Sequence, residues 1–154
     1  MAAIVIGDER SNLALIVPSA PRLWSEARLE IFDAQGSFRV EGFRGEFQTM
    51  LSAPIVRDFT KKLAAFVEGA PGALTWWGGI DHAPDFQIEL TAKEVGKVNA
   101  SVSFNTSMLS ATAQAYRLQS TEWSFNGGLF FQFDRLSLSA TAEALNALQF
   151  EIAP

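Results

Sequence analysis

Three stretches in the second half of the chain alternate apolar and polar residues with a period of two. Phe86, Ile88 and Leu90 enclose Gln87 and Glu89; Val98, Ala100, Val102 and Phe104 enclose Asn99, Ser101 and Ser103; Leu129, Phe131 and Phe133 enclose Phe130 and Gln132. Successive side chains of a strand point to opposite faces, so this pattern builds a sheet with one face on a core and the other in water. Helices can enter only where the period changes.

The first half reads the same way. Ala3 to Ile6 and Leu13 to Val17 are aliphatic runs on either side of the polar turn Gly7 to Asn12, the pattern of a hairpin, and Pro18 and Pro21 end its ladder. Trp24 to Asp33 reads as the next strand, with Ala27, Leu29 and Ile31 on one face and Glu26, Arg28 and Glu30 on the other. Gln35-Gly36 reads as a turn into Ser37 to Met50. There Phe38 and Val40 share a face while Phe43 and Phe47 fall out of phase, and a bulge at Gly42 or Gly45 would return them to the core. The period becomes helical in Pro54 to Glu68, where Ile55, Phe59, Leu63, Phe66 and Val67 recur on one side. Ser52 is the expected N-cap, Pro54 lies in the first turn, and Gly69 follows the end. Ala73 to Trp77 is a strand ended by Gly78-Gly79, and Ala111 to Trp123 is a further one. Leu138, Ala142, Leu145 and Leu148 share one face of a C-terminal helix, with Ser137 or Ser139 as its cap. The expected fold is α+β: a twisted, mainly antiparallel sheet, one helix after the first strands, and one C-terminal helix packed on it. With no linker, repeat or low-complexity tract, residues 1–154 read as a single domain.

Such a core needs large apolar side chains, and 13 Phe and 4 Trp supply them. The chain has no cysteine, which rules out disulfides, thiol catalysis and thiolate-bound zinc. The net charge of −5 disfavours nucleic acid and anionic membrane and suits a basic protein partner. No apolar run approaches the ~20 residues that span a bilayer. Met1 to Gly7 lacks a positive n-region, so a cytoplasmic protein is expected. Gly78-Gly79 and Gly127-Gly128 lack the spacing of a phosphate cradle, and no cofactor is expected.

Chemistry has few footholds. His82 is the only histidine, and no Gly-x-Ser-x-Gly elbow accompanies it, so catalysis is not expected. Asp81, His82 and Asp85 follow Trp76 and Trp77 closely. This group could form a small polar site beside stacking rings, able to hold a sugar or another small ligand, or it could be a plain inter-strand loop. A metal there would need more convergent ligands. Trp76 and Trp77 are adjacent on a strand and must point to opposite sides, one inward and one outward as an anchor for a partner. Asn99 to Gln119 carries Arg117 as its only charge and is the other candidate contact surface, for a second copy of the chain or a different protein.

From Arg22 to Leu148 the chain resembles the WapI-type immunity proteins and their uncharacterised bacterial relatives. The resemblance rests on Trp24 with Ala27-Arg28-Leu29-Glu30-Ile31; on Gly36-Ser37-Phe38 and Gly42-Phe43-Arg44-Gly45-Glu46-Phe47; and on the helix with Phe59 and Leu63. It continues in Phe86-Gln87-Ile88-Glu89-Leu90 and in Phe131-Gln132-Phe133-Asp134 leading to Leu138. The neutral Asn99 to Gln119 and the pair Trp76-Trp77 depart from the family pattern. The resemblance implies a small intracellular protein that neutralises a bacterial toxin by binding it. The alternative from the residues themselves is a small-ligand or carbohydrate-binding module using Trp76, Trp77, Asp81, His82 and Asp85.

Overall fold

The computed structural model describes residues 1–26, 28–40, 43–79, 86–93, 96–104 and 128–150. Ala2–Gly7 (β1) and Ser11–Val17 (β2) form the expected first hairpin. Its turn is held by the Asp8 carboxylate, which accepts hydrogen bonds from the backbone N–H groups of Arg10 (2.8 Å) and Ser11 (3.0 Å). Gly7 has φ +123°, and a Cβ there would lie 2.2 Å from the Ser11 carbonyl oxygen, so this corner requires glycine.

The next strands are Arg22–Trp24 (β3), Leu29–Val40 (β4) and Phe43–Ser52 (β5). They complete a five-stranded sheet in which β2 and β3 lie along one edge of β4 and β5 along the other. Three expectations are corrected here. Trp24 to Asp33 is not one strand: the chain reverses after Trp24, which pairs with Leu29. Alternation alone does not distinguish one long strand from two joined by a short turn. Gln35-Gly36 is not a turn, because β4 runs straight through it. No bulge is needed for the phenylalanines. β4 and β5 pair without interruption from Ile31↔Ser52 to Val40↔Phe43, and the reversal between them exchanges odd for even positions. Gly36 and Phe47, and Phe38 and Gly45, are therefore cross-strand partners on the inner face.

Ala53–Val67 (α1) follows as the periodicity predicts, with Val56, Phe59, Leu63 and Phe66 buried. Ser52 takes the N-cap position with extended backbone, but its side chain makes no capping bond. Ala73–Gly78 (β6), Phe86–Ala92 (β7), Lys97–Phe104 (β8) and Leu129–Asp134 (β9) form a second, four-stranded antiparallel sheet in that order. β8 is thus an internal strand, paired on both sides from Val98 to Val102, so residues 99–102 present no free edge to a second chain. Residues 105–119, and the expected strand Ala111 to Trp123, lie outside the described residues.

The C-terminal helix is Ser137–Asn146 (α2), with Leu138, Thr141 and Leu145 buried. Neither Ser137 nor Ser139 caps it. The chain enters through a tight turn in which Leu138 N–H bonds the Arg135 carbonyl (3.0 Å) and Ser139 N–H bonds the Leu136 carbonyl (3.1 Å), so main chain satisfies those amides. The Thr141 hydroxyl donates to the Val5 carbonyl, docking α2 on the edge strand β1.

The architecture is α+β with antiparallel sheets. The two sheets pack inner face to inner face through aromatic rings. Phe47 lies 5.7 Å from Phe86 and 5.3 Å from Phe104, and Phe38 lies 5.0 Å from Phe104. At one corner the sheets join through a bridge between Leu51 and Gly79, where Gly79 N–H bonds the Met50 carbonyl at 2.8 Å.

On the outer side of the first sheet, Arg22 grips both carboxylate oxygens of Asp33, Nε to Oδ2 and Nη2 to Oδ1 (2.9 Å). The hydrogen bond from Arg22 holds the Asp33 carboxyl below its ordinary value. A lowered folded-state pKa stabilises above the ordinary Asp value and loses that contribution as pH falls through the lowered one. Both groups are about half exposed, so the effect is small and screened by salt. Asp33→Asn is expected to lower the denaturation midpoint slightly at neutral pH, and the difference should vanish in acid below the lowered Asp33 value. A difference that persists there would assign the effect to packing rather than charge.

Candidate functional site

The outer face of the second sheet is built from the side chains that alternation leaves pointing away from the core. Register places them in rows across the strands. Trp77, Gln87 and Ser103 form one row; Thr75, Glu89, Ser101 and Phe130 the next; Ala73, Thr91, Asn99 and Gln132 the third. Trp77 is 42% exposed and Phe130 72%. They stand on the two outer strands, β6 and β9, three inter-strand spacings or roughly 14 Å apart. Glu89 is the only ionisable side chain in these rows. The Gln132 amide donates to Asn99 Oδ1 at 3.0 Å, and at the rim Lys97 Nζ meets Asp134 at 2.8 Å. The result is a hydrogen-bonding floor with a single carboxylate between two exposed rings.

The structure separates the two tryptophans as the strand geometry requires. Trp76 is 1% exposed; it stacks on Phe59 with ring centroids 4.4 Å apart and planes 9° apart, and meets Phe86 edge-on at 5.6 Å. Its indole N–H is buried without a hydrogen-bond partner. Trp76 is thus a core residue with no surface to offer a ligand, which removes it from the candidate binding set. Trp77 keeps its place there. Asp81, His82 and Asp85 lie outside the described residues.

Phe130 stands far from Trp76, Trp77 and the acidic loop in sequence and belongs to no clustered motif. Its signal was present, since it is out of phase with Leu129, Phe131 and Phe133 and so had to face outward. What local sequence could not show is that its row contains Ser101 and Glu89, and that the neighbouring row ends at Trp77. Among the described residues no three or more His, Asp or Glu side chains converge as metal ligands, and no helix is long and apolar enough to cross a membrane. No protein-family model, curated protein or solved structure matches the chain.

Proposed function

We propose that this chain is a non-catalytic protein-binding domain whose second sheet meets its partner with the outer face. The observation that carries this reading is the exposure of Trp77 and Phe130 on a face where, in the rows between β6 and β9 formed by the described residues, Glu89 is the one ionisable side chain. Interface centres are depleted of charge and rich in aromatic anchors, and two large rings left in water gain most by being covered. Glu89 and the net charge of −5 suit a basic partner. The resemblance to WapI-type immunity proteins supports a bacterial toxin as that partner, neutralised by occlusion in the cytoplasm. A carbohydrate is the second reading. It is favoured by the outward ring of Trp77 in the same row as the Gln87 amide and the Ser103 hydroxyl, which together offer a stacking plane beside hydrogen-bonding groups.

Sequencing the neighbouring genes and titrating calorimetrically with the terminal domain of any large secreted toxin they encode tests the proposal. Trp77→Ala and Phe130→Ala are each expected to weaken binding by about 2 kcal/mol or more while leaving folding stability within about 0.5 kcal/mol of the parent. Full affinity in both variants would move the interface off this face. Binding of an oligosaccharide instead of the toxin, lost in Trp77→Ala, would establish the second reading.

A further inference from the structure

On the opposite side of the molecule, the outer face of the β4–β5 hairpin carries two shallow grooves end to end. One, of about 630 Å³, is walled by Met1, Ile16, Pro18 and Met50, with Gln35, Gln48 and the Arg22-paired Asp33 also lining it. The other, of about 520 Å³, is lined by Asn12, Ser37, Arg39, Arg44 and Glu46. Consecutive cross-strand pairs Asp33↔Met50, Gln35↔Gln48, Ser37↔Glu46 and Arg39↔Arg44 run from one groove into the other. The two grooves, laid end to end, form a furrow that follows the strands over roughly 20 Å, at ~3.4 Å per residue of strand. One end carries Met1, Ile16, Pro18 and Met50 beside the Arg22–Asp33 ion pair, the middle is polar, and the other end carries Arg39 and Arg44 with Glu46 next to them.

The cationic end is the informative part. Arg39 and Arg44 are directly opposite on adjacent antiparallel strands, an arrangement that destabilises a ladder. The ion pairs among the described residues are Arg22–Asp33, Lys62–Asp58 and Lys97–Asp134, and neither Arg39 nor Arg44 enters one. Acids are not scarce, with 17 against 12 basic residues. Two guanidinium forks lie side by side with one carboxylate, Glu46, in the same groove, and each fork is able to take a carboxylate bidentately.

We infer that this furrow is a second binding site, for an extended peptide segment that carries an apolar side chain at one end and carboxylates at the other. Charge complementarity places the carboxylates on Arg39 and Arg44, and the groove of Ile16 and Met50 takes the apolar side chain. Glu46, between them, repels an acid placed mid-segment and so fixes the register. The polar middle also selects a peptide over a lipid: an acyl chain would lie on Gln35, Gln48 and Glu46, whereas peptide N–H and C=O groups can bond them.

Fluorescence anisotropy tests this with labelled peptides of about eight residues, leucine near one end and two aspartates at the other, made in both chain directions. The parent is expected to bind saturably, and more weakly as salt rises. The variant with both Arg39→Gln and Arg44→Gln should bind about tenfold more weakly or worse. Ile16→Ser should also weaken binding, whereas Trp77→Ala should leave it unchanged, which separates this site from the first. Relief of the like-charge pair should leave the thermal midpoint of Arg39→Gln equal to the parent's or about 1–3 °C above it. The proposal is overturned if the parent shows no saturable binding, if the double variant binds as tightly, or if lysines in place of the aspartates bind as well. Binding of dodecyl phosphate without binding of the peptide would also overturn it, in favour of an anionic amphiphile.

Discussion

Phe59→Ala is expected to cost about 3–5 kcal/mol of folding stability, the range for removing a phenylalanine from a packed core. Phe59 is 2% exposed and reaches from α1 onto the inner face of the second sheet, where its ring lies flat on Trp76 at 4.4 Å. Truncation opens a void beneath the largest buried side chain and removes a stacked pair worth more than its area. Trp76 cannot swing outward to fill the void, because its register with Ile88 holds it between Phe86 and α1. Denaturant titration should show the midpoint fall with an unchanged slope, and thermal melting should fall by on the order of 10 °C. Phe130→Ala deletes the same atoms from a residue that is 72% exposed and should barely move either midpoint. Equal effects of the two substitutions would show that the apolar face of α1 is not in the core.

Gly36→Ala is expected to destabilise by about 1–3 kcal/mol, as overpacking does, although alanine suits a strand interior better than glycine. A Cβ at Gly36 would lie 2.2 Å from Cζ of Phe47 and 2.5 Å from both Cε atoms, so the ring is centred over the glycine. Phe47 has no room to move: it is 2% exposed and boxed by Phe86 and Phe104. Gly36→Val should cost more than Gly36→Ala. The decisive measurement is a double-mutant cycle with Phe47→Leu, which removes the clashing ring. If the glycine serves ring packing, adding Gly36→Ala to Phe47→Leu should cost much less than adding it to the parent. Simple additivity would show that the requirement at position 36 is conformational instead.

Which features were legible in the sequence follows from how far apart their causes lie. The paired strands β1 and β2, the alternation of β7, β8 and β9, and the helix α1 are visible because a period of two or of 3.6 is a property of a short stretch. So is the opposition of Trp76 and Trp77, since neighbouring side chains on a strand must diverge. The same logic placed Phe130 on an outer face. Local pattern could not say which tryptophan turned inward, because that depends on which side of β6 receives α1 and the first sheet. Nor could it see the reversals after Trp24 and Val40, because a chain that turns back on itself keeps its alternation. It gave Gly36 to a turn, when the glycine is required by a ring on the partner strand. The adjacency of Arg39 to Arg44, and the rows that set Phe130 and Trp77 at the two sides of one face, exist only through inter-strand register. That register is decided by how side chains from distant parts of the chain fill a common core, and no stretch of sequence carries it alone.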